Sequence, residues 1–203
     1  MPKNKYQQVS KQAKVIEGDL SPGDILIKYN ANTAVNRIIA FGQLIFGGGK
    51  DSNKVHAALY LGDGFVAESQ AEGTVKNKLQ DLLNQGFRYQ VFRCTDKTSR
   101  DKAVGYALVH VEKNTRYDFR NLVPGVMGTG KKDLSPDSDQ RPLTGPEKLY
   151  CSALVTACYN EPALAKESTV QIPLDLANAT PQQLAGYLKS QQENFDQLGT
   201  ISK

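Results

Sequence analysis

Residues 55–69 have the sequence VHAALYLGDGFVAES, in which two apolar runs flank a short turn rich in glycine. Strand-forming residues on both sides of such a turn predict a β-hairpin. If the turn is a three-residue loop with Gly64 in the left-handed region, Leu61 lies opposite Phe65. This hairpin is the clearest structural signal in the chain.

The register of the hairpin decides which side chains share a face, because side chains alternate along a strand. The three-residue loop places His56 and Glu68 on the same face. A two-residue turn at Asp63 and Gly64 would shift the pairing by one residue and turn Glu68 away from His56. We prefer the three-residue loop because it leaves the opposite face uniformly apolar, with Val55, Ala57, Leu59, Leu61, Phe65 and Ala67 on it.

Other segments show the periodicity of strands and helices. Residues 25–27 form an apolar run after a turn, and residues 89–94 alternate as a strand does. Thr98 and Ser99 are predicted to cap a helix, and Asn160 to Pro162 to end another. Helical patterns of apolar residues are found in three segments, 31–46, 100–112 and 149–159. Thr180 as N-cap and Pro181 in the first turn predict a last helix over 182–191. This set of elements predicts an α+β fold with a mostly antiparallel sheet.

The length of 203 residues suits one domain. We predict a polar lead over residues 1–20, a single domain over 21–192 and a tail over 193–203. Residues 125–146 are rich in Gly, Pro, Ser, Asp and Lys, which favours a long surface loop within that domain.

The composition excludes a disordered acidic tail, a collagen-like fibre and a coiled coil. Hydrophobic residues make up 39% and charged residues 23%, as in ordinary globular proteins. The net charge of +4 is spread along the chain, so we expect no nucleic-acid partner. No apolar run approaches the roughly 20 residues of a membrane-spanning helix, and residues 1–20 lack the apolar core of a signal peptide. We therefore expect no transmembrane segment, and either a cytoplasmic location or export without a signal peptide, as for a bacterial effector.

The chain has three cysteines and two histidines, a small set for metal or disulfide chemistry. An odd number of cysteines argues against a disulfide framework. No pair of CxxC or HxxxH spacings is present, so we expect no metal site. Cys94 and Cys158 fall at positions typical of a core. His110 lies beside the apolar stripe of its helix and is predicted to be partly exposed.

Cys151 is the candidate nucleophile. It falls in the first turn of the helix predicted over residues 149–159, where free amide groups and the helix dipole favour a thiolate. Its spacing from Leu154, Val155 and Cys158 also fits the core stripe of a helix, so a purely structural role is the alternative.

His56 stands on a strand of small and apolar residues, where an imidazole needs a partner or a catalytic role. A base that activates a thiol needs a third group to orient it, and Glu68 can supply a carboxylate on the same face. Gln70, directly opposite His56 in the preferred register, is the competing candidate. If neither residue orients the ring, Asp118 is the next candidate.

These residues occur in an order that resembles a known family. His56 is followed by the Tyr60–Gly64 segment and Glu68, then by Tyr117 and Asp118, and then by the sequence YCSALV at 150–155. The arrangement is similar to the circularly permuted branch of the NlpC-type papain-like peptidases and amidases, in which the histidine strand precedes the cysteine helix.

The resemblance implies a papain-like fold in which a central antiparallel sheet packs against the helix that carries Cys151. It implies a Cys-His-Glu site in which His56 takes the proton of Cys151, the thiolate attacks a carbonyl and an acyl-enzyme forms. The backbone N–H of Cys151 would be an oxyanion donor. Such catalysis needs no cofactor.

Three functions are compatible with this resemblance. The leading hypothesis is a cysteine hydrolase of amide bonds in peptides, isopeptides or peptidoglycan stem peptides. The second is a thioesterase, phospholipase or acyltransferase that acts on acyl lipids with the same residues. The third is a binding module without catalysis on the same scaffold. The oligomeric state does not follow from the sequence.

Overall fold

The computed structural model describes residues 13–29, 54–70, 73–115, 151–176 and 179–203. The strands within these residues are β1 (Ile25–Tyr29), β2 (Lys54–Gly62), β3 (Phe65–Gln70), β4 (Gly73–Lys78), β5 (Arg88–Cys94) and β6 (Phe195–Ile201). The helices are α1 (Leu79–Asn84), α2 (Lys97–Glu112), α3 (Cys151–Leu164) and α4 (Pro181–Ser190). The predicted helix over 31–46 and the predicted loop over 125–146 lie outside the described residues.

The six strands form one sheet in the order β4-β3-β2-β1-β5-β6. Each strand runs antiparallel to its neighbours. The prediction of an α+β fold with an antiparallel sheet is therefore confirmed. The strands that carry the predicted site residues, β2 and β3, lie next to each other.

The turn of the β2–β3 hairpin differs from the prediction, although its interior register does not. Gly62 pairs with Phe65, so the turn has two residues, Asp63 and Gly64, with φ of 52° and 77°. These positive angles suit the right-handed twist of a two-residue hairpin. A shift in register at Leu61 then restores the expected pairing farther along the strands. The predicted three-residue loop is wrong, and the bulge explains why the predicted faces are still correct.

Both faces of the sheet are buried. On one face, Ala57, Leu59 and Ala67 pack with α3 in a core cluster that also includes residues of α2 and α4. On the other face, Ala58, Tyr60 and Val66 pack with the apolar side of α1. The alternation predicted for the hairpin is confirmed at these positions.

Two helix boundaries differ from the predictions, the first because a different local residue caps the helix and the second at a residue that makes a tertiary contact. The N-cap of α2 is Asp96, whose side chain accepts hydrogen bonds from the amides of Thr98 and Ser99. Helix α3 does not end at Asn160, because that side chain exchanges two hydrogen bonds with the backbone of Ile172. The helix continues through Pro162 and ends at Leu164.

The predicted ends of the domain are also corrected. The segment over 193–203, predicted as a tail, contains β6, which pairs with β5 along its length. In the predicted lead, Val15 is buried in the core and its amide bonds to the carbonyl of Thr200. The folded unit therefore includes residues on both sides of the predicted boundaries at 21 and 192.

Candidate active site

The site lies on β2 and β3, on the side of the Leu59–Ala67 pair that is away from the turn. There Nε2 of His56 lies 2.6 Å from Oε2 of Glu68. This distance is typical of a strong, charge-assisted hydrogen bond.

Glu68 is only 2% exposed, and both of its oxygens have partners. Oε1 accepts hydrogen bonds from Nδ2 of Asn77 at 2.7 Å and from Nε2 of Gln70 at 3.2 Å. A buried charge is tolerated when hydrogen bonds replace its hydration. The carboxylate is thus fixed in place with one oxygen directed at His56.

Cys151 is the first described residue of α3 and is only 1% exposed. Its sulfur is hydrogen bonded to the His56 ring and to the backbone amides of Ala57 and Ser152. Because Nε2 of His56 faces Glu68, Nδ1 is the ring nitrogen that remains for the thiol. Cys151 also packs with Leu154 in the core cluster. The packing role expected of a residue in the apolar stripe of a helix and the contact with His56 are therefore found together in Cys151.

The charges of this group stabilise one another against burial. Burial, the largest single influence, would raise the pKa of Cys151, but the charge and hydrogen bond of His56 and the amides of Ala57 and Ser152 together hold that pKa below its ordinary value. Burial opposes protonation of His56, yet the Cys151 thiolate and Glu68 together raise its pKa to about 10. Burial would likewise raise the pKa of Glu68, but the hydrogen bond from His56 lowers it. The structure therefore favours a thiolate–imidazolium pair beside a carboxylate.

The structure brings together Cys151, His56 and Glu68. Gln70, the competing candidate, bonds to Glu68 instead of the His56 ring. Asp118 lies outside the described residues. Sequence reasoning missed Asn77. This residue lies two positions after Val75, the partner of Glu68, so both side chains of β4 are on the same face of the sheet as Glu68. The strand β4 itself was not predicted, and without it this placement could not be made.

Lys28 is a second residue that sequence reasoning missed. It lies directly opposite His56 in the pairing of β1 with β2. Burial lowers its pKa, while the charges of Glu68 and Cys151 partly offset that effect. The strand containing Lys28 was predicted only as far as Ile27, so its place beside the site was not visible in the sequence.

The remaining thiols and the second histidine lie elsewhere. Cys94 and Cys158 are buried, and burial raises the pKa of both thiols, to about 11 for Cys94. The prediction that His110 is partly exposed is wrong, since it is only 4% exposed. Its Nδ1 is 3.1 Å from Oγ1 of Thr115 and its Nε2 is 3.3 Å from Oε1 of Glu161. This histidine connects α2 to α3.

Among the described residues, no group of three or more His, Cys, Asp or Glu side chains is arranged to hold a metal ion. In the same part of the chain, every helix is too short or too polar to cross a membrane.

One curated protein with significant similarity is the probable lipoprotein peptidase YaeF of Escherichia coli (strain K12). The two sequences are 26% identical over 142 residues, which cover 67% of this chain and 49% of the relative. The chain thus spans about half the length of the curated relative that it matches. No protein-family profile and no solved structure gives a significant match.

Proposed function

We propose that the protein is a cysteine hydrolase that cleaves an amide bond through Cys151, His56 and Glu68. The observation that carries the proposal is the chain of hydrogen bonds from the Cys151 sulfur to the His56 ring and on to the Glu68 carboxylate. A nucleophile, a base and an orienting carboxylate in contact form the arrangement that nucleophilic catalysis needs.

The proposed reaction begins from the ion pair in which His56 already holds the proton of Cys151. The thiolate attacks the carbonyl carbon, and the resulting oxyanion is stabilised by the backbone N–H of Cys151 at the start of α3. His56 then gives the proton to the leaving amine as the C–N bond breaks, which leaves a thioester on Cys151. Water, deprotonated by His56, hydrolyses this acyl-enzyme and restores the thiol. Glu68 keeps the ring oriented and stabilises its cationic form.

The similarity to a protein named as a peptidase favours an amide substrate over an acyl lipid. Peptides, isopeptides and peptidoglycan stem peptides are the substrate classes that we propose. We also infer that the scaffold is the circularly permuted form of the NlpC-type papain-like fold. Two features support this inference: the histidine strand β2 precedes the cysteine helix α3 in the chain, and α3 packs against the sheet next to β2.

Labelling with a thiol-reactive probe at neutral pH tests the nucleophile. We expect one equivalent of label on Cys151, located by mass spectrometry of the intact and digested protein. Cys151→Ala should abolish labelling, whereas the matched variant Cys158→Ala should retain it, because Cys158 is buried with a raised pKa. Labelling that persists in Cys151→Ala would contradict the assignment.

A panel of substrates tests the reaction class. Peptide amides, isopeptides, peptidoglycan fragments and acyl thioesters are incubated with the wild-type protein and with Cys151→Ala. We expect cleavage of at least one amide class that depends on Cys151. Turnover of the acyl thioesters alone would replace the amide hydrolase with an acyl-lipid enzyme of the thioesterase type, and labelling of Cys151 without turnover of any class would favour a binding module.

A further inference from the structure

Lys28 has a position that the proposed chemistry does not use. It is the partner of His56 in the pairing of β1 with β2, so the two side chains project from the same face of the sheet. Its neighbour on the other side, in β5, is Tyr89. The ammonium group therefore lies on the side of the sheet where His56 meets Glu68.

The ammonium group of Lys28 contacts an aromatic ring, and the charges of Glu68 and Cys151 act on it only without direct contact. Its nitrogen lies 3.1 Å from the centroid of the Phe87 ring, as in a cation–π contact. Among the described residues, no carboxylate forms an ion pair with it. The side chain is half-buried, so its charge is screened less than that of a surface lysine. A positioned cation of this kind is suited to an anionic partner that arrives from outside the chain.

We infer that Lys28 forms a carboxylate subsite, which binds a free carboxylate of the substrate next to the scissile amide. The inference rests on the proposed function, because it names a feature of the substrate for that same site. One ammonium group matches one negative charge, whereas a phosphate group is commonly bound by several donors or by an arginine fork. A peptide residue with a free carboxylate beside the scissile bond is the corresponding substrate class.

Two alkylating reagents of similar size test the subsite without a known substrate. Iodoacetate carries a carboxylate, and iodoacetamide is its neutral counterpart. In both reactions the Cys151 thiolate forms an S–C bond, the C–I bond breaks and iodide leaves. The ratio of the two rates at Cys151 reports how strongly the site attracts a carboxylate.

We expect Lys28→Gln to lower the ratio of the iodoacetate rate to the iodoacetamide rate by about 3- to 30-fold, because an attractive charge near the sulfur is lost. Lys28→Arg should preserve the ratio. The matched control is Lys76→Gln, since Lys76 also lies over an aromatic ring, that of Phe65 at 4.2 Å, but on the exposed part of β4. The control should keep the wild-type ratio.

Each outcome bears on the inference. If Lys28→Gln slows both reagents equally, Lys28 only stabilises the thiolate, and the subsite is overturned. If neither reagent modifies Cys151 in the wild-type protein, the proposed function fails, and the inference fails with it. Modification of Cys151 with a ratio that is the same in wild type and Lys28→Gln overturns the subsite alone.

A second measurement covers the case in which Lys28→Gln does not fold. Wild-type protein is given pairs of peptide amides that differ only in a free carboxylate or a carboxamide next to the scissile bond. We expect kcat/KM to be higher for the free acid by about 3- to 30-fold, mainly through KM. Equal values for the two members of each pair would overturn the subsite.

Discussion

The carboxylate of Glu68 is the most constrained group of the site. It is buried, and it accepts hydrogen bonds from His56, Gln70 and Asn77. The alternation of the hairpin predicted that Glu68 shares a face with His56. Gln70 lies two residues from Glu68 on the same strand, so alternation also places it on this face. The donor from Asn77 depends on how β3 and β4 pair, which the alternation of one hairpin does not specify.

Glu68→Gln tests the role of this carboxylate. We expect the fold to be kept and turnover to fall by about 10- to 10⁴-fold, because the amide no longer stabilises the His56 cation. The measurement is kcat/KM, with circular dichroism to check the fold. Gln70→Ala is the comparison and should have a smaller effect, since Gln70 contributes a neutral donor. A silent Glu68→Gln beside a crippled Gln70→Ala would refute the triad.

The pH dependence of alkylation tests the coupling of Cys151 to His56. The cation of His56 lowers the pKa of Cys151, so the thiolate persists below pH 8.5 and is lost only as the pH falls through the lowered value. In His56→Gln the midpoint of the iodoacetamide rate should move upward, toward that of an ordinary thiol or above it, because burial is then opposed only by the backbone amides of Ala57 and Ser152. Identical midpoints in the two proteins would refute the coupling.

Tyr89 presents a buried hydroxyl that has no hydrogen-bond partner in the described part of the chain. Burial raises its pKa, and the charge of Glu68 adds to that effect. Tyr89→Phe should leave the free energy of unfolding unchanged or raise it by up to about 1 kcal/mol, because it removes an unsatisfied group. Urea denaturation measures this, and a loss above about 1 kcal/mol would reveal a partner such as a bound water.

Tyr159→Phe is the matched comparison for Tyr89→Phe. The hydroxyl of Tyr159 donates a hydrogen bond of 2.8 Å to the carbonyl of Gly23. Its removal leaves that carbonyl unpaired, so we expect a loss of about 1–3 kcal/mol. Both variants remove a hydroxyl oxygen from a buried tyrosine, but of the two only that of Tyr159 has a hydrogen-bond partner among the described residues. The changes in the free energy of unfolding should therefore differ in sign or size.

Strand β6 shows how an element can be invisible in its own sequence. Its residues FDQLGTI include Asp196 and Gly199, two residue types that are depleted in strands. Gly199 has a φ of 140°, and a Cβ atom there would lie 2.1 Å from the carbonyl oxygen of Ala13. The strand exists because β5 offers it an edge and because a glycine permits the close approach of residue 13.

Phe195 anchors this strand. It is buried at the start of β6, with its ring centroid 5.9 Å from that of Tyr159 and 6.4 Å from that of Tyr187. Phe195→Ala should lower the free energy of unfolding by about 3–5 kcal/mol, as expected for a large buried side chain. The exposed Gln197→Ala is the control and should change it by less than about 0.5 kcal/mol. Equal effects would mean that β6 does not contribute to the core.

The folded molecule as a whole creates the reactive thiol. Cys151 and His56 are far apart in the sequence and meet because α3 packs against the sheet beside β2. Unfolding should therefore lower the reactivity of Cys151 at mildly acid pH, even though it exposes the sulfur. The other two thiols are protected by burial alone and should respond in the opposite direction.

Alkylation along a urea titration at about pH 6.5 tests this difference. The rate at Cys151 should fall through the unfolding transition, because its pKa returns toward about 8.5 when the contact with His56 is lost. The rates at Cys94 and Cys158 should rise together through the same transition. A rate at Cys151 that rises with theirs would mean that the native thiol is not activated.

The features that the sequence determined by itself are those that depend on near neighbours. The faces of the hairpin follow from alternation, and the place of Cys151 at a helix start follows from apolar spacing. His56 and Glu68 belong to the same hairpin, so their proximity could also be predicted.

Only the tertiary structure decided which residues from other strands surround this group. Lys28 lies opposite His56 because β1 inserts between β2 and β5, and Asn77 reaches Glu68 because β4 pairs with β3. These contacts depend on the register between separate strands, which shifts every side chain when it slips by one residue. They also depend on burial, which changes the charge state of each group according to its final neighbours. Neither the register between separate strands nor the burial of a group in the folded protein is set by residues close in sequence.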